Sequence, residues 1–210
     1  MNRRHFIKAG AVSAIGVAGH AIGSNNNLPT PTEAEGPFYP VVAQKDQDFD
    51  LTMIKGHDKP ALGEAIFITG EVIDTEGNPV EDATVDLWQA NAAGRYSHPH
   101  DPNPAPLDKN FQGWAIVQTN KDGEFKFKTV LPGAYPASRD WTRPPHIHFK
   151  ITKRGFIELT TQMYFPTQPL NDVDRLLQRK SKDKQELMIA QIKSNMPNNH
   201  FFYRIVIEEA

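Results

Sequence analysis

The sequence predicts an all-β chain: an immunoglobulin-like β-sandwich with an extended N-terminal arm and a short C-terminal helical excursion. Three observations carry this expectation. From Glu64 to Phe165 apolar residues recur in short alternating runs, the period of a strand with one buried face. Clusters of Gly, Asn, Asp and Pro separate the runs, and these residues supply tight turns. Only Asn171–Lys193 carries apolar residues near helical spacing,.

Residues 1–24 read as a signal peptide of the twin-arginine type. Arg3, Arg4 and Lys8 precede a weakly apolar Ala/Gly stretch, and Gly19 and Ala21 stand at the spacing a signal peptidase reads,. Residues 25–62 are polar and Pro-rich, and read as an arm lying on the body or on a neighbouring subunit, with no core of its own,. Residues 63–210 form the expected sandwich. Its first strand runs through Ile66, Ile68 and Gly70 to Ile73, closed by the turn cluster Asp74–Pro79,. Thr84–Trp88 alternates again. Trp114–Thr119 and Glu124–Val130 flank Asn120-Lys121-Asp122-Gly123, which reads as a hairpin turn,. Ile147–Thr152 and Leu159–Phe165 are two further strands. Val173, Leu176, Leu177, Leu187, Met188 and Ile192 make an interrupted helical stripe, and His200–Glu208 is a closing strand.

Composition narrows the function. The formal net charge is −2 over 210 residues, so there is no basic excess and a nucleic-acid partner is not expected,. There is no Cys, which excludes disulfides, thiolate metal sites and a Cys nucleophile,. No strongly apolar run reaches 18 residues, so stable membrane insertion is not expected,.

The residues that carry chemistry begin with Arg143-Pro144-Pro145-His146-Ile147-His148-Phe149. On a strand, residues i and i+2 share a face, so His146 and His148 point two imidazoles at one place while Ile147 faces the opposite sheet. Such a pair is equally at home as ordinary polar strand residues. Further ligands must come from elsewhere. Tyr96 follows a strand, and Tyr135 sits in the stiff loop Pro132-Gly133-Ala134-Tyr135-Pro136. A loop Tyr is most often a packing residue. As ligands, two phenolates and two imidazoles would make a hard site suited to ferric iron. His98-Pro99-His100 reads as a solvated loop, and Tyr39, Tyr164 and Tyr203 as packing, with Tyr39 within reach of a pocket from the arm.

Taken together and in order, these segments resemble the intradiol ring-cleavage dioxygenases, in particular the iron-binding (β) subunits of protocatechuate 3,4-dioxygenases. The resemblance spans Gly63 to Pro166. It rests on Asp86-Leu87-Trp88-Gln89-Ala90-Asn91 through Tyr96, Ala105-Pro106-Leu107-Asp108, the Tyr135 loop, the His146/His148 strand and Thr161-Gln162-Met163-Tyr164-Phe165. Thr32–Tyr39 also resembles the family's Gly-Pro segment. The resemblance implies one Fe(III) per chain held by Tyr96, Tyr135, His146 and His148. It implies that Tyr135 leaves the metal when substrate binds and takes a substrate proton. Arg143 and Gln162 would complete the catalytic set, with a small aromatic diol and O2 as partners and a muconate-type diacid as product. One departure bears on substrate: relatives continue the loop Tyr-Pro-Trp-Arg, whereas here Tyr135-Pro136 is followed by Ala137-Ser138, with Arg139 one place late. Because this chain carries both the Gly-Pro arm and the full ligand set, a homo-oligomer or a monomer is expected.

Two rivals remain at this point. A non-catalytic β-sandwich binding module would have no need of the four candidate ligands together with Arg143. A non-haem Fe(II) oxygenase would pair two His with a carboxylate, and none stands at a supporting spacing.

The N-terminal reading has a direct test. Replacing Arg3 and Arg4 with Lys should hold the precursor in the cytoplasm, and cell fractionation reads this. Export and processing at the wild-type level would leave only a general signal peptide.

Overall fold

The computed structural model describes residues 27–42, 44, 46–193, 197 and 199–210. The signal-peptide expectation lies outside them. Among the described residues nine strands form: β1 (Ala65–Asp74), β2 (Thr84–Trp88), β3 (Trp114–Gln118), β4 (Glu124–Val130), β5 (Tyr135–Ser138), β6 (Trp141–Arg143), β7 (His146–Thr152), β8 (Leu159–Tyr164) and β9 (His200–Ile207). They build a three-stranded sheet in the order β4-β1-β9, a four-stranded sheet in the order β3-β2-β7-β8 and a small β5-β6 ribbon. All pairings are antiparallel except β1 with β9. Ile66, Ile68, Val72, Phe125, Phe127 and Ile205 of one sheet meet Val85, Leu87, Ile147, Phe149, Ile151 and Met163 of the other in a single core. The alternation read from the sequence places these side chains inward, and their burial is the main stabilising term.

Two sequence expectations require correction. The Asn120–Gly123 turn is not a hairpin. β3 pairs with β2 (Trp88↔Trp114 to Thr84↔Gln118) and β4 pairs with β1 (Glu71↔Glu124 to Ala65↔Val130), so the turn crosses from one sheet to the other. The crossing is pinned by Thr119, whose buried hydroxyl donates to the Val80 carbonyl (2.6 Å) and accepts from Ala83 N (2.8 Å). Val72 N donates to Gly123 O at 2.8 Å on the far side. Turn chemistry is the same for a hairpin and an arch; only the partners of the flanking strands tell them apart.

The helical excursion is also more broken than its stripe suggests. It comprises 3-10 turns at Pro169–Val173 and Leu177–Arg179, and a five-residue helix α1 (Lys182–Glu186). Leu177 and Met188 are buried against Tyr164, whereas Val173 is 63% and Ile192 48% exposed. Two interactions outcompete a continuous helix. The backbone of Asp174 is extended (φ −69, ψ 119), and its side chain is drawn inward. Further on, Tyr164 N donates to Met188 O (2.8 Å) and Ala190 N to Tyr164 O (2.9 Å), so this stretch adds to the edge of β8.

The arm runs across the sandwich. Thr30 N donates to Val206 O (3.0 Å) and Glu33 N to Thr160 O (2.8 Å). Tyr39 donates to Asp86 (2.7 Å), which also receives the Trp114 indole N–H (2.7 Å). Further along, Leu51 is fully buried in the main core.

The turn after β1 generates a stability prediction. The Asp74 carboxylate accepts from Glu76 N (2.9 Å), Asn78 N (2.8 Å) and Asn78 Nδ2 (2.8 Å). Burial pushes this carboxyl up, but those donors outweigh it and leave its pKa below the ordinary 3.8. Asp74→Ala should therefore cost about 1 kcal/mol in urea unfolding at neutral pH. A lowered folded-state value means the contribution is complete above the unfolded pKa and is lost as pH falls through the folded one. The gap between wild type and variant should accordingly close on the acid side of that ordinary value.

Candidate active site

The site is assembled by two loops and one strand. Asn91 organises both loops. Its side-chain oxygen accepts from Ala93 N (2.9 Å) and Arg95 N (3.0 Å), and its amide donates to Pro106 O (2.9 Å). Its carbonyl accepts from Gly94 N (2.9 Å) and from Gly133 N of the second loop (3.0 Å). The loops thus touch backbone to backbone. A Cβ on Gly94 would lie 2.4 Å from Ala134 O, and one on Gly133 would lie 2.5 Å from Gly94 N. Gly94 also has φ +80, a conformation that other L-residues adopt only at a cost. This contact brings the Tyr96 and Tyr135 rings to 5.6 Å, edge to face.

The strand period does the rest. On β7, His146 and His148 share the face opposite Ile147, with ring centroids 5.0 Å apart. The Tyr96 hydroxyl lies 3.1 Å from His148 Nε2 and 3.5 Å from His146 Nε2. His146 Nδ1 is 2.7 Å from the Pro144 carbonyl, which makes Nδ1 the donor and leaves the Nε2 lone pair facing Tyr96,. His148 stacks on Trp88 at 4.8 Å, and its buried Nδ1 has no partner among the described residues. All four predicted ligands therefore meet in one buried place. Among the described residues, no three His, Asp or Glu side chains gather elsewhere to hold a metal. His98 lies against Phe38 and His100 at the periphery.

Electrostatics set the demands of this cluster. Burial, then the neighbouring Tyr135, raises the Tyr96 hydroxyl well above its ordinary 10.0. Burial likewise raises Tyr135, against the pull of Arg143. Burial and Arg143 drive His146 well below 6.5 and His148 to about 3. The imidazoles are thus neutral and ready to donate lone pairs. The phenols can ionise here only beside a strong positive charge. Two oxygen and two nitrogen donors with these properties fit a ferric ion.

Arg143 and Gln162 flank the cluster. Arg143 Nη2 donates to Gln162 Oε1 (2.8 Å) and to Tyr164 Oη (2.8 Å), and the guanidinium pairs with Asp174. Burial disfavours its charge, but Tyr164, Tyr135 and Asp174 hold it protonated. Gln162 Nε2 donates to Ala34 O (2.8 Å) and so ties the arm to the site.

A cavity of about 330 Å³ opens over Tyr135, His148, Arg143 and Gln162. Its walls include Pro37 and Phe38 of the arm, Pro136 and Ala137 of the β5-β6 ribbon, and Trp141 and Leu176. A larger groove, about 600 Å³, lies across the three-stranded sheet beside Phe49 and Phe202. It gathers none of the four donors, so the smaller cavity is where chemistry is possible.

Sequence reasoning missed three contributors. Tyr164, read as packing, joins the Arg143 network. Asp174 sat unremarked inside the helical stripe; an acid beside apolar Val173, Leu176 and Leu177 was the only signal available. Of the arm, the sequence reading puts Tyr39 within reach of a pocket, yet the residues that wall the cavity are Pro37 and Phe38, and a Cβ on Gly36 would come within 3.4 Å of His148 Cε1.

Comparison with known proteins places the chain in a family. Residues 34–208 match the Dioxygenase_C family model, described as Dioxygenase. The chain is 39% identical over 170 residues to a protocatechuate 3,4-dioxygenase beta chain from Burkholderia cepacia, covering 78% of this chain and 72% of that one. It is 33% identical over 154 residues to catechol 1,2-dioxygenase 1 of Acinetobacter lwoffii, covering 67% of this chain but only 48% of that one. In structure it resembles the dioxygenase domain of a dioxygenase–carbohydrate-binding fusion from Streptomyces sp. SirexAA-E, with a TM-score of 0.63, 27% identity and coverage of 87% and 99%.

The loop contact can be tested apart from any activity. Gly133→Ala should cost about 2–3 kcal/mol in thermal or urea unfolding, because backbone blocks the new methyl group. Gly155→Ala is the control. It has φ +89 but nothing within 4 Å of its Cβ, and should cost only about 1 kcal/mol of backbone strain. Equal losses would mean that the loops can part without penalty.

Proposed function

The chain belongs to the intradiol ring-cleavage dioxygenases, and from that premise we propose that it cleaves a catechol-type ring between its two hydroxylated carbons. Both atoms of O2 enter the diacid product, so no external reductant is needed. The observation that carries the reading is the convergence of Tyr96, His146 and His148 donor atoms, with Tyr135 beside them, in a buried cluster of which Tyr135 and His148 line the cavity.

These four side chains would hold one ferric ion, whose Lewis acidity would make the diol ring reactive toward O2. The chain's own residues do the remaining work. Phe38, Pro136, Trp141 and Leu176 pack the ring and exclude water,. The Tyr135 oxygen accepts one diol proton. Arg143, charged and buried, stabilises negative charge that develops on the ring during oxygen attack. Gln162 accepts from Arg143 Nη2 and anchors the arm through Ala34 O.

The cavity also points to a substrate class. Among the described residues lining it, Arg143 is the one charged cation, and Asp174 already neutralises it. The Asp101 carboxylate accepts main-chain N–H groups of Tyr96 (2.7 Å) and Asn103 (2.9 Å). Ala137 stands where relatives carry Trp, and Arg139 is exposed. An uncharged ring, such as catechol, an alkyl- or chloro-substituted catechol or hydroxyquinol, suits these walls better than a carboxylated one. Similarity to the Burkholderia beta chain favours protocatechuate as the second reading.

One experiment addresses both levels. Purified protein should be red from phenolate-to-iron charge transfer and contain one iron per chain. Tyr96→Phe, His146→Ala and His148→Ala should lose the metal. Full iron retention in all three would overturn the ligand set. In a panel assay of diacid formation, uncharged catechols should be turned over at least as well as protocatechuate; a strong preference for protocatechuate would select the second reading.

A further inference from the structure

Asp174 is fully buried, on a segment outside both sheets. Its Oδ1 accepts from Arg143 Nε (3.2 Å) and Trp141 Nε1 (3.1 Å). Its Oδ2 accepts from Arg143 Nη2 (3.1 Å) and Leu177 N (3.4 Å), and lies 3.0 Å from the Tyr164 hydroxyl. The carboxylate thus grips the Nε–Nη2 edge of the guanidinium side-on, and Nη1 is the nitrogen outside the pair. Trp141 closes from the flank, its ring 5.5 Å from the Arg143 guanidinium carbon.

A buried ion pair is a costly way to gain stability, since apolar packing of equal volume commonly does as well. What a bidentate, fully satisfied pair provides is direction. Arg143 has a long, rotatable side chain, and its charge is useful to a reaction only if already in place when negative charge develops. Gln162 and Tyr164 each touch only Nη2. Asp174 engages two nitrogens, Nε and Nη2, and so fixes the plane and rotation of the fork,.

We propose that Asp174 is the positioning residue for Arg143: delivered by the break in the helical excursion, it orients the guanidinium over the ring-binding cavity. The inference rests on the functional reading above. It also accounts for the extended backbone at Asp174, which a continuous helix would not allow.

The test is a double-mutant cycle on the iron-loaded protein, with a second readout independent of turnover. Asp174→Asn keeps volume and one acceptor but removes the charge and turns the other acceptor into a donor. It should lower kcat for catechol by on the order of tenfold or more, with KM changed less than about threefold. Iron content and visible absorption should stay at the wild-type level. Combined with Arg143→Ala, it should add no loss beyond that of Arg143→Ala alone. In proton NMR, the Arg143 Nε–H signal, identified by its disappearance in Arg143→Lys, should exchange with water faster in Asp174→Asn. Additive losses, or unchanged exchange, would overturn the proposal. Should Asp174→Asn fail to fold, Asp174→Glu keeps the charge in the core while shifting it by one methylene. It should show the same faster exchange and lowered kcat, and wild-type values of both would overturn the proposal. A wild-type protein that cleaves no catechol-type diol overturns the functional reading and this inference with it. Wild-type cleavage with an insensitive Asp174 overturns this inference alone.

Discussion

The backbone contact between the Gly94 and Gly133 loops is the constraint from which the site follows. Two tyrosines nearly forty residues apart reach one point because their loops approach to a distance that excludes even a methyl group on either glycine. Asn91 makes this approach repeatable by accepting main-chain N–H groups from both loops. Once the phenol rings stand together, the two-residue period of β7 places both imidazoles against them without further special geometry. A wider gap between the loops would leave two His on a strand and two unrelated Tyr, which is the ordinary packing outcome.

This arrangement gathers groups that burial disfavours. Two phenols, two neutral imidazoles and a guanidinium share a small volume closed to bulk water. Such a cluster is costly wherever its polar atoms lack partners, and His148 Nδ1 has none among the described residues,. Pro144 supplies one for His146; Gln162, Tyr164 and Asp174 supply those for Arg143. The excursion after β8 therefore serves the site more than the core. It buries Leu177 and Met188 against Tyr164, and its break delivers the carboxylate that balances Arg143.

The arm completes the pocket by a different route. It binds mainly through main-chain hydrogen bonds to β8 and β9, through Tyr39 on Asp86 and through Lys150, which pairs with Glu35 and lies 4.1 Å from the Tyr39 ring. These contacts hold Pro37 and Phe38 as walls over the donor cluster. Substrate shape is thereby set jointly by an irregular segment and a two-stranded ribbon, the parts of the chain with the least regular structure.

By itself the sequence determined what depends on local pattern. Alternation located the seven strands of the two sheets but not β5 and β6, where the Tyr135 segment reads as a stiff loop; Gly- and Pro-rich clusters located turns, and the spacing of His146 and His148 put them on one face. The order of motifs then indicated Tyr96 and Tyr135 as companions. Tertiary structure alone decided what depends on distant partners. Whether Asn120–Gly123 joins one sheet or two rests on the competition of β1 and β2 for the flanking strands, which leaves no mark in the turn. Whether Asn171–Lys193 becomes a helix rests on Arg143 and the edge of β8, both remote in sequence. Asp174 and Tyr164 acquire their places only when a buried charge must be satisfied. A side chain's periodicity is written beside it in the chain, but the groups that complete its hydrogen bonds and charge are assembled only by the fold.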